Sequence, residues 1–217
     1  MSRAHYDEEL ESIRRNLIQM GETTESLLQE ALSAVVEAQP PSLAKASELE
    51  AQTDHHHRVI HDQCLTLITR RAPVARDARL VTGVLDAIVD LELIGDYAYE
   101  IVTLSSSMKS RPASQILAQV SRVGGKIQEI LRIAIDNWRD REGVPIISAR
   151  PEESAIRTEC AALYEKLSQL TSSPGDATVY VDLMVISRHL ERILRHAVCV
   201  ADQAASAAPA EQARQPI

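Results

Sequence analysis

The sequence predicts an all-α protein made of two copies of a three-helix unit, and three observations carry the prediction. Six long segments space their apolar residues three and four apart, and no convincing run of alternating β-branched residues competes with them. The composition is that of a helical bundle, 45% hydrophobic with 3% aromatic residues, no phenylalanine and 7 glycines in 217 residues. Three short strings also recur in the same order: Gln29-Glu-Ala-Leu32 as Gln128-Glu-Ile-Leu131, Asp77-Ala78 as Asp176-Ala177, and Leu91-Glu-Leu-Ile94 as Leu190-Glu-Arg-Ile193. Each pair is 99 residues apart, which marks an internal repeat.

Proline and glycine punctuate the segments, because proline lacks the amide a helix interior needs. The first segment covers residues 7–38 and ends at Pro40-Pro41; the second covers 42–71 and ends before Pro73. The third runs over 74–108. Ser110-Arg-Pro112 opens a fourth that ends near Gly143-Val-Pro145, and the fifth spans 151–170. Pro174-Gly175 precedes the sixth, which ends near residue 204. The chain thus divides into a first repeat, 1–109, a second, 110–205, and a disordered tail, 206–217. Three helices are too few to hide an apolar stripe fully, so the two units pack side by side.

Charge and composition exclude several functions. A net charge of -8 with so few aromatics argues against a nucleic-acid surface, which needs basic patches and stacking platforms. No run approaches the roughly 20 apolar residues of a spanning helix, and the N-terminal MSRAHYDEEL has no apolar signal region. A cytoplasmic protein without direct membrane insertion is the expectation. Cys64, Cys160 and Cys199 show no CxxC spacing and lie in apolar stretches, as reduced core thiols do. There is no glycine-rich anion loop or P-loop, which argues against nucleotide binding.

Carboxylates on the second and third segments carry the most chemistry. Leu85, Val89, Glu92 and Asp96 fall on one helical stripe, so two acids share a face with apolar residues. Glu50, Asp54, His57 and His61 form a comparable line on the second segment. An antiparallel pairing of the two lines completes an oxygen and nitrogen ligand set for one or more cations. One Glu-x-x-x-Asp pair alone is common on a solvated face; two on neighbouring helices, one among apolar residues, point to metal. A further pair, Asp86 and Asp90, lies on the other side of the third helix and reads as solvated.

These residues carry a family resemblance. Pro73-Val-Ala-Arg-Asp77-Ala-Arg79-Leu80, followed by Asp90-Leu-Glu92-Leu-Ile-Gly-Asp96, closely resembles the PxAxDLR…DLERIGD signature of PhoU proteins. His189-Leu-Glu191-Arg-Ile193 resembles the family's RHLERI, and Tyr6-Asp-Glu-Glu-Leu10 with Met20-Gly21 is similar to its N-terminal helix. The resemblance implies two antiparallel three-helix bundles related by pseudo-twofold symmetry, with surface Glu/Asp-x-x-x-Asp motifs that bind multinuclear clusters of divalent or trivalent metal. It also implies a non-enzymatic regulator of phosphate uptake and phosphate-starvation signalling. Such a regulator contacts the ATPase of the phosphate ABC transporter and a phosphate-sensing histidine kinase, and is often a homodimer.

The departures from the pattern are as informative. Where the third segment has Glu92 and Asp96, the sixth has Glu191 and Arg195, and the fifth pairs Glu153 with Arg157. Arginine stands where the family has aspartate, which suggests that the second half replaced a cation with its own guanidinium groups. Arg188, Arg192, Arg195 and His196 offer a further reading, a basic face able to attract an anion, phosphate included. His57 and His61 stand where the family more often has acids, and shift the expected metal from calcium towards iron, zinc, nickel or manganese. Two other functions stay open. A di-metal carboxylate oxidase needs paired Glu-x-x-His motifs, which only Asp54-x-x-His57 approximates; a metal-free helical adaptor fits the altered second half.

Overall fold

Six helices account for nearly all described residues of the computed structural model, which are 3–37, 42–71, 75–139, 149–171 and 177–208. They are α1 (Arg3–Val36), α2 (Leu43–Arg71), α3 (Ala75–Ser107), α4 (Ser114–Arg139), α5 (Arg150–Leu170) and α6 (Ala177–Ala207). The Pro40-Pro41, Pro73, Gly143-Val-Pro145 and Pro174-Gly175 breaks lie outside the described residues. Local chemistry explains several ends. The Ser42 hydroxyl accepts the Lys45 amide at 3.2 Å as a helix cap, and Pro151 sits in the first turn of α5, where no amide donor is required. Arg111 donates to the Val36 carbonyl at 2.9 Å, satisfying the open end of α1.

Two boundaries differ from the sequence expectation. α1 begins at Arg3 rather than near residue 7, with His5 against Glu8 and Glu9 one turn on, at 3.8 and 3.5 Å. α6 runs through the expected start of the tail to Ala207, and Ala204, Ala207 and Ala208 are buried. Alanine is the strongest helix former and its small side chain packs closely, which carries the helix this far. Residues 209–217 lie outside the described residues.

Within each half the three helices pack on one another, and across the halves α1 meets α4 while α3 meets α6. Each cross-pairing joins register-equivalent helices, an arrangement that a pseudo-twofold axis between the halves produces. The side chains locate the axis: Gln128 donates to Gln29 at 2.8 Å, and these two are counterparts in the repeat. α2 and α5 flank this central set of four helices. One continuous core draws buried residues from all six helices, among them Leu17, Ile60, Ile88, Ile127, Leu167 and Ile193. Trp138 locks the end of α4 onto α6 by donating to the Val200 carbonyl at 3.1 Å. Burial pushes the Cys64 thiol up to about 12 and the Cys160 thiol up to about 11, so both are inert at neutral pH.

The Leu32 side chain of α1 packs directly onto Gly124 of α4, where an added Cβ would lie 2.2 Å from Leu32 Cδ2, whereas nothing lies within 4 Å of one added at Gly125. Gly124→Leu is therefore expected to lower the thermal midpoint by several degrees through overpacking of about 1–3 kcal/mol. Gly125→Ala is expected to raise it, through helix propensity worth about 1 kcal/mol. Melts followed by circular dichroism check both, and equal effects at the two positions would contradict the packing.

Candidate metal centre

α2 and α3 run antiparallel, and a glycine sets how closely they approach. A Cβ at Gly95 would meet Thr53 Cγ2 at 3.3 Å. Thr53 is buried against it and returns its hydroxyl to the Leu49 carbonyl at 3.1 Å, leaving no polar group exposed to the apolar contact. The residues beside this contact, Asp54 and Asp96, are thereby brought together, with Glu50 one turn away. One carboxylate oxygen from each of Glu50, Asp54 and Asp96 lies within 4.8 Å of the other two. Glu50 and Asp54 are half-buried and Asp96 is exposed.

The electrostatic consequence is mutual repulsion. Burial pushes the Glu50 carboxyl above its usual range, and the charges of Asp54 and Asp96 push it the same way. Asp96 is raised by burial first, then by Glu92, Asp54 and Glu100. Three acids converging on one point, with the charged forms of Glu50 and Asp96 disfavoured, fit a hard cation, which would replace repulsion with coordination.

The other expected ligands stand beside this trio. His57 Nδ1 lies 3.3 Å from Glu92 Oε1, one turn along the same helix pair. His61 is exposed, 3.8 Å from Asp62, with its ring 6.3 Å from that of His57. The structure thus joins Glu50, Asp54 and Asp96, couples His57 to Glu92, and leaves His61 outside. The expected apolar stripe is also displaced. Val89 is 47% exposed, and the core face of α3 passes through Val84, Ile88, Leu91, Ile94, Ala98 and Ile101. α3 is buried over much of its circumference, so sequence neighbours of the acids are core residues while the acids themselves sit on the rim.

Asp86 is exposed as expected, but its companion Asp90 is not solvated. Its side chain is 15% exposed, with His196 Nδ1 2.7 Å from Oδ1 and Gln203 donating to Oδ2 at 2.7 Å. Tyr97 stacks on both His189 and His196, with centroids 5.4 and 6.0 Å away. This polar cluster in the seam between the repeats went unnoticed in the sequence. Its signal was available: Asp90 corresponds to His189, and Tyr97 to His196, at the repeat spacing.

In the second repeat Arg157 reaches Glu153 only at 3.9 Å. Arg188, not Arg195, pairs with Glu191, at 2.7 Å. The sequence reading, in which Arg195 supplies the positive charge beside Glu191, is therefore corrected: Arg188 on the preceding turn holds that carboxylate.

Comparison with known proteins places these features. A family model described as "PhoU domain" matches residues 17–104, which contain the carboxylate trio. A phosphate-specific transport system accessory protein PhoU homolog from Pseudomonas aeruginosa is 26% identical over 199 residues, covering 91% of this chain and 82% of its own. One of the same name from Synechocystis is 23% identical over 201 residues, covering 93% and 90%. In structure, PhoU from Pseudomonas aeruginosa superposes with a TM-score of 0.85 at 24% identity, over 92% of this chain and 96% of that one. The phosphate transport system regulatory protein PhoU from Streptococcus pneumoniae gives 0.81 at 18% identity, over 93% and 96%.

Because the folded state disfavours the ionised Asp96, Asp96→Asn is expected to raise the melting temperature of the metal-free protein at pH 7, by about 1–3 °C. The sign follows from linkage: an acid raised by folding costs stability above its folded value, and that cost disappears as pH falls below the ordinary 3.8. Melts at pH 7 and at pH 3 check this, since an equal gain at both would trace the effect to something other than charge.

Proposed function

Because the chain belongs to the PhoU family, we propose that it is a non-enzymatic accessory protein of a phosphate-specific transporter, restraining phosphate uptake and phosphate-starvation signalling. The likeness to accessory proteins over nine-tenths of the chain, both repeats included, is the observation that carries the reading. In this reading the protein works in the cytoplasm as a homodimer and docks through helix faces on the transporter's ATPase and on a phosphate-sensing histidine kinase. Among the described residues no helix is long and apolar enough to cross a membrane.

Metal belongs to the same proposal. Glu50, Asp54 and Asp96 would hold the cation, with Glu92 and its partner His57 beside them. The bound ion would supply charge neutralisation and stiffen α2 against α3. An all-oxygen trio suits hard cations such as iron(III), manganese, magnesium or calcium, and broadens the set that the histidines alone suggested. The rim position favours a regulator over a di-metal oxidase, whose ligands project into a bundle interior from four helices.

Elemental analysis of tag-free protein is expected to find bound metal that Asp54→Asn with Asp96→Asn reduces at least tenfold, a loss of about 1.4 kcal/mol or more in binding; unchanged content would refute the centre. For the regulatory role, chain immobilised from phosphate-replete cells is expected to retain the phosphate-transport ATPase and the sensor kinase. Recovery of neither would overturn that role.

A further inference from the structure

The second repeat places arginines where the first gathers carboxylates. The repeat spacing carries Asp54 to Glu153, Glu92 to Glu191 and Asp96 to Arg195, with Arg157, Arg188 and Arg192 around them. Together with Leu194, the register counterpart of Gly95, they line an open cavity of about 360 Å³ between α5 and α6. Four guanidinium groups face two carboxylates, a formal charge of +2 on a chain whose net charge is -8.

These guanidinium groups are largely uncommitted. Arg188 donates to Glu191 at 2.7 Å and lies over the Tyr164 ring, 4.2 Å from its centroid. Arg192 lies over the Tyr97 ring at 5.3 Å. Stacking uses the flat face of the guanidinium and leaves its in-plane N–H groups free to donate. Arg157 is 3.9 Å from Glu153. Neither Arg192 nor Arg195 forms a hydrogen bond or ion pair among the described residues, so the cavity presents guanidinium donors without a protein acceptor.

We propose that this cavity binds inorganic orthophosphate as its hydrogen-phosphate dianion. The dianion matches the charge of the lining, and its oxygens accept from planar guanidinium forks. Its remaining P–OH donates to Glu153 or Glu191. Sulfate carries the same charge but no proton at neutral pH, so the same two carboxylates repel it; they act as the element that rejects the wrong anion. A phosphate monoester dianion lacks that proton too. Binding itself rests on this chemistry alone, and only its meaning, a regulator that reads phosphate directly, rests on the function proposed above.

Isothermal titration of the full-length chain with sodium phosphate, sodium sulfate and phosphoserine at pH 7.5 tests the site. Phosphate is expected to bind at least about tenfold more tightly than either competitor. Arg192→Gln with Arg195→Gln, both at exposed positions, is expected to weaken phosphate at least about tenfold with the melting curve unchanged. Glu191→Gln is expected to admit sulfate and largely erase the preference. Phosphate binding is expected to persist in the Asp54→Asn, Asp96→Asn protein; its loss there would assign the anion to the metal centre and overturn the proposal. Equal affinity for sulfate, tighter phosphoserine binding, no binding at millimolar phosphate, or indifference to the arginine changes would each overturn it as well. Failure to retain the transport ATPase would leave this result standing, so the two readings fail separately.

Discussion

Neither three-helix unit can bury its own third helix, and most of the architecture follows from that. α3 is apolar over more of its surface than α1 and α2 can cover, and α6 stands in the same position in the second repeat. Each therefore covers the other, in the most extensive helix pairing of the molecule, while α1 and α4 close the same seam from the other side. The hydrophobic effect acting on this shared surface fixes where α3 and α6 stand. The faces left over, turned towards α2 and α5, become the rims on which charge collects.

That constraint explains why the two rims differ without the fold differing. A rim residue makes few packing contacts, so exchanging Asp96 for an arginine at the equivalent position leaves the core untouched and inverts the local field. At Gly95 the first repeat keeps α2 close to α3; at the equivalent Leu194 a buried side chain occupies the same register and lines a cavity. One exchange near each helix contact thus accompanies a change from converging carboxylate oxygens to guanidinium groups lining an open cavity.

The sequence carried the helices and their order, because the three-to-four spacing is sustained over many turns and proline marks the breaks. The end of α6 lies three residues beyond the expected one, at Ala207, because no proline or glycine marks a stop before Pro209. The sequence also placed Glu92 and Asp96 on the core face, since periodicity loses its contrast on a helix buried on several sides and Val89 looks like any other core valine. The convergence of Glu50 and Asp54 with Asp96 was legible as two matching lines of acids. The separation of His61 from them was not, because register between helices is set by contacts such as Thr53 against Gly95 rather than by spacing within one helix. The Asp90 and His196 pair was hidden for the same reason: it crosses the repeat.

The amide pair on the pseudo-twofold axis has a consequence of its own. Gln29 and Gln128 are the same residue in equivalent places, and each carries both N–H donors and a carbonyl acceptor, so the two could pair reciprocally without breaking the twofold. Here they share a single bond in which Gln128 donates. Such a self-complementary pair lets one residue type serve both halves at the axis, where any charged side chain would meet its own like charge.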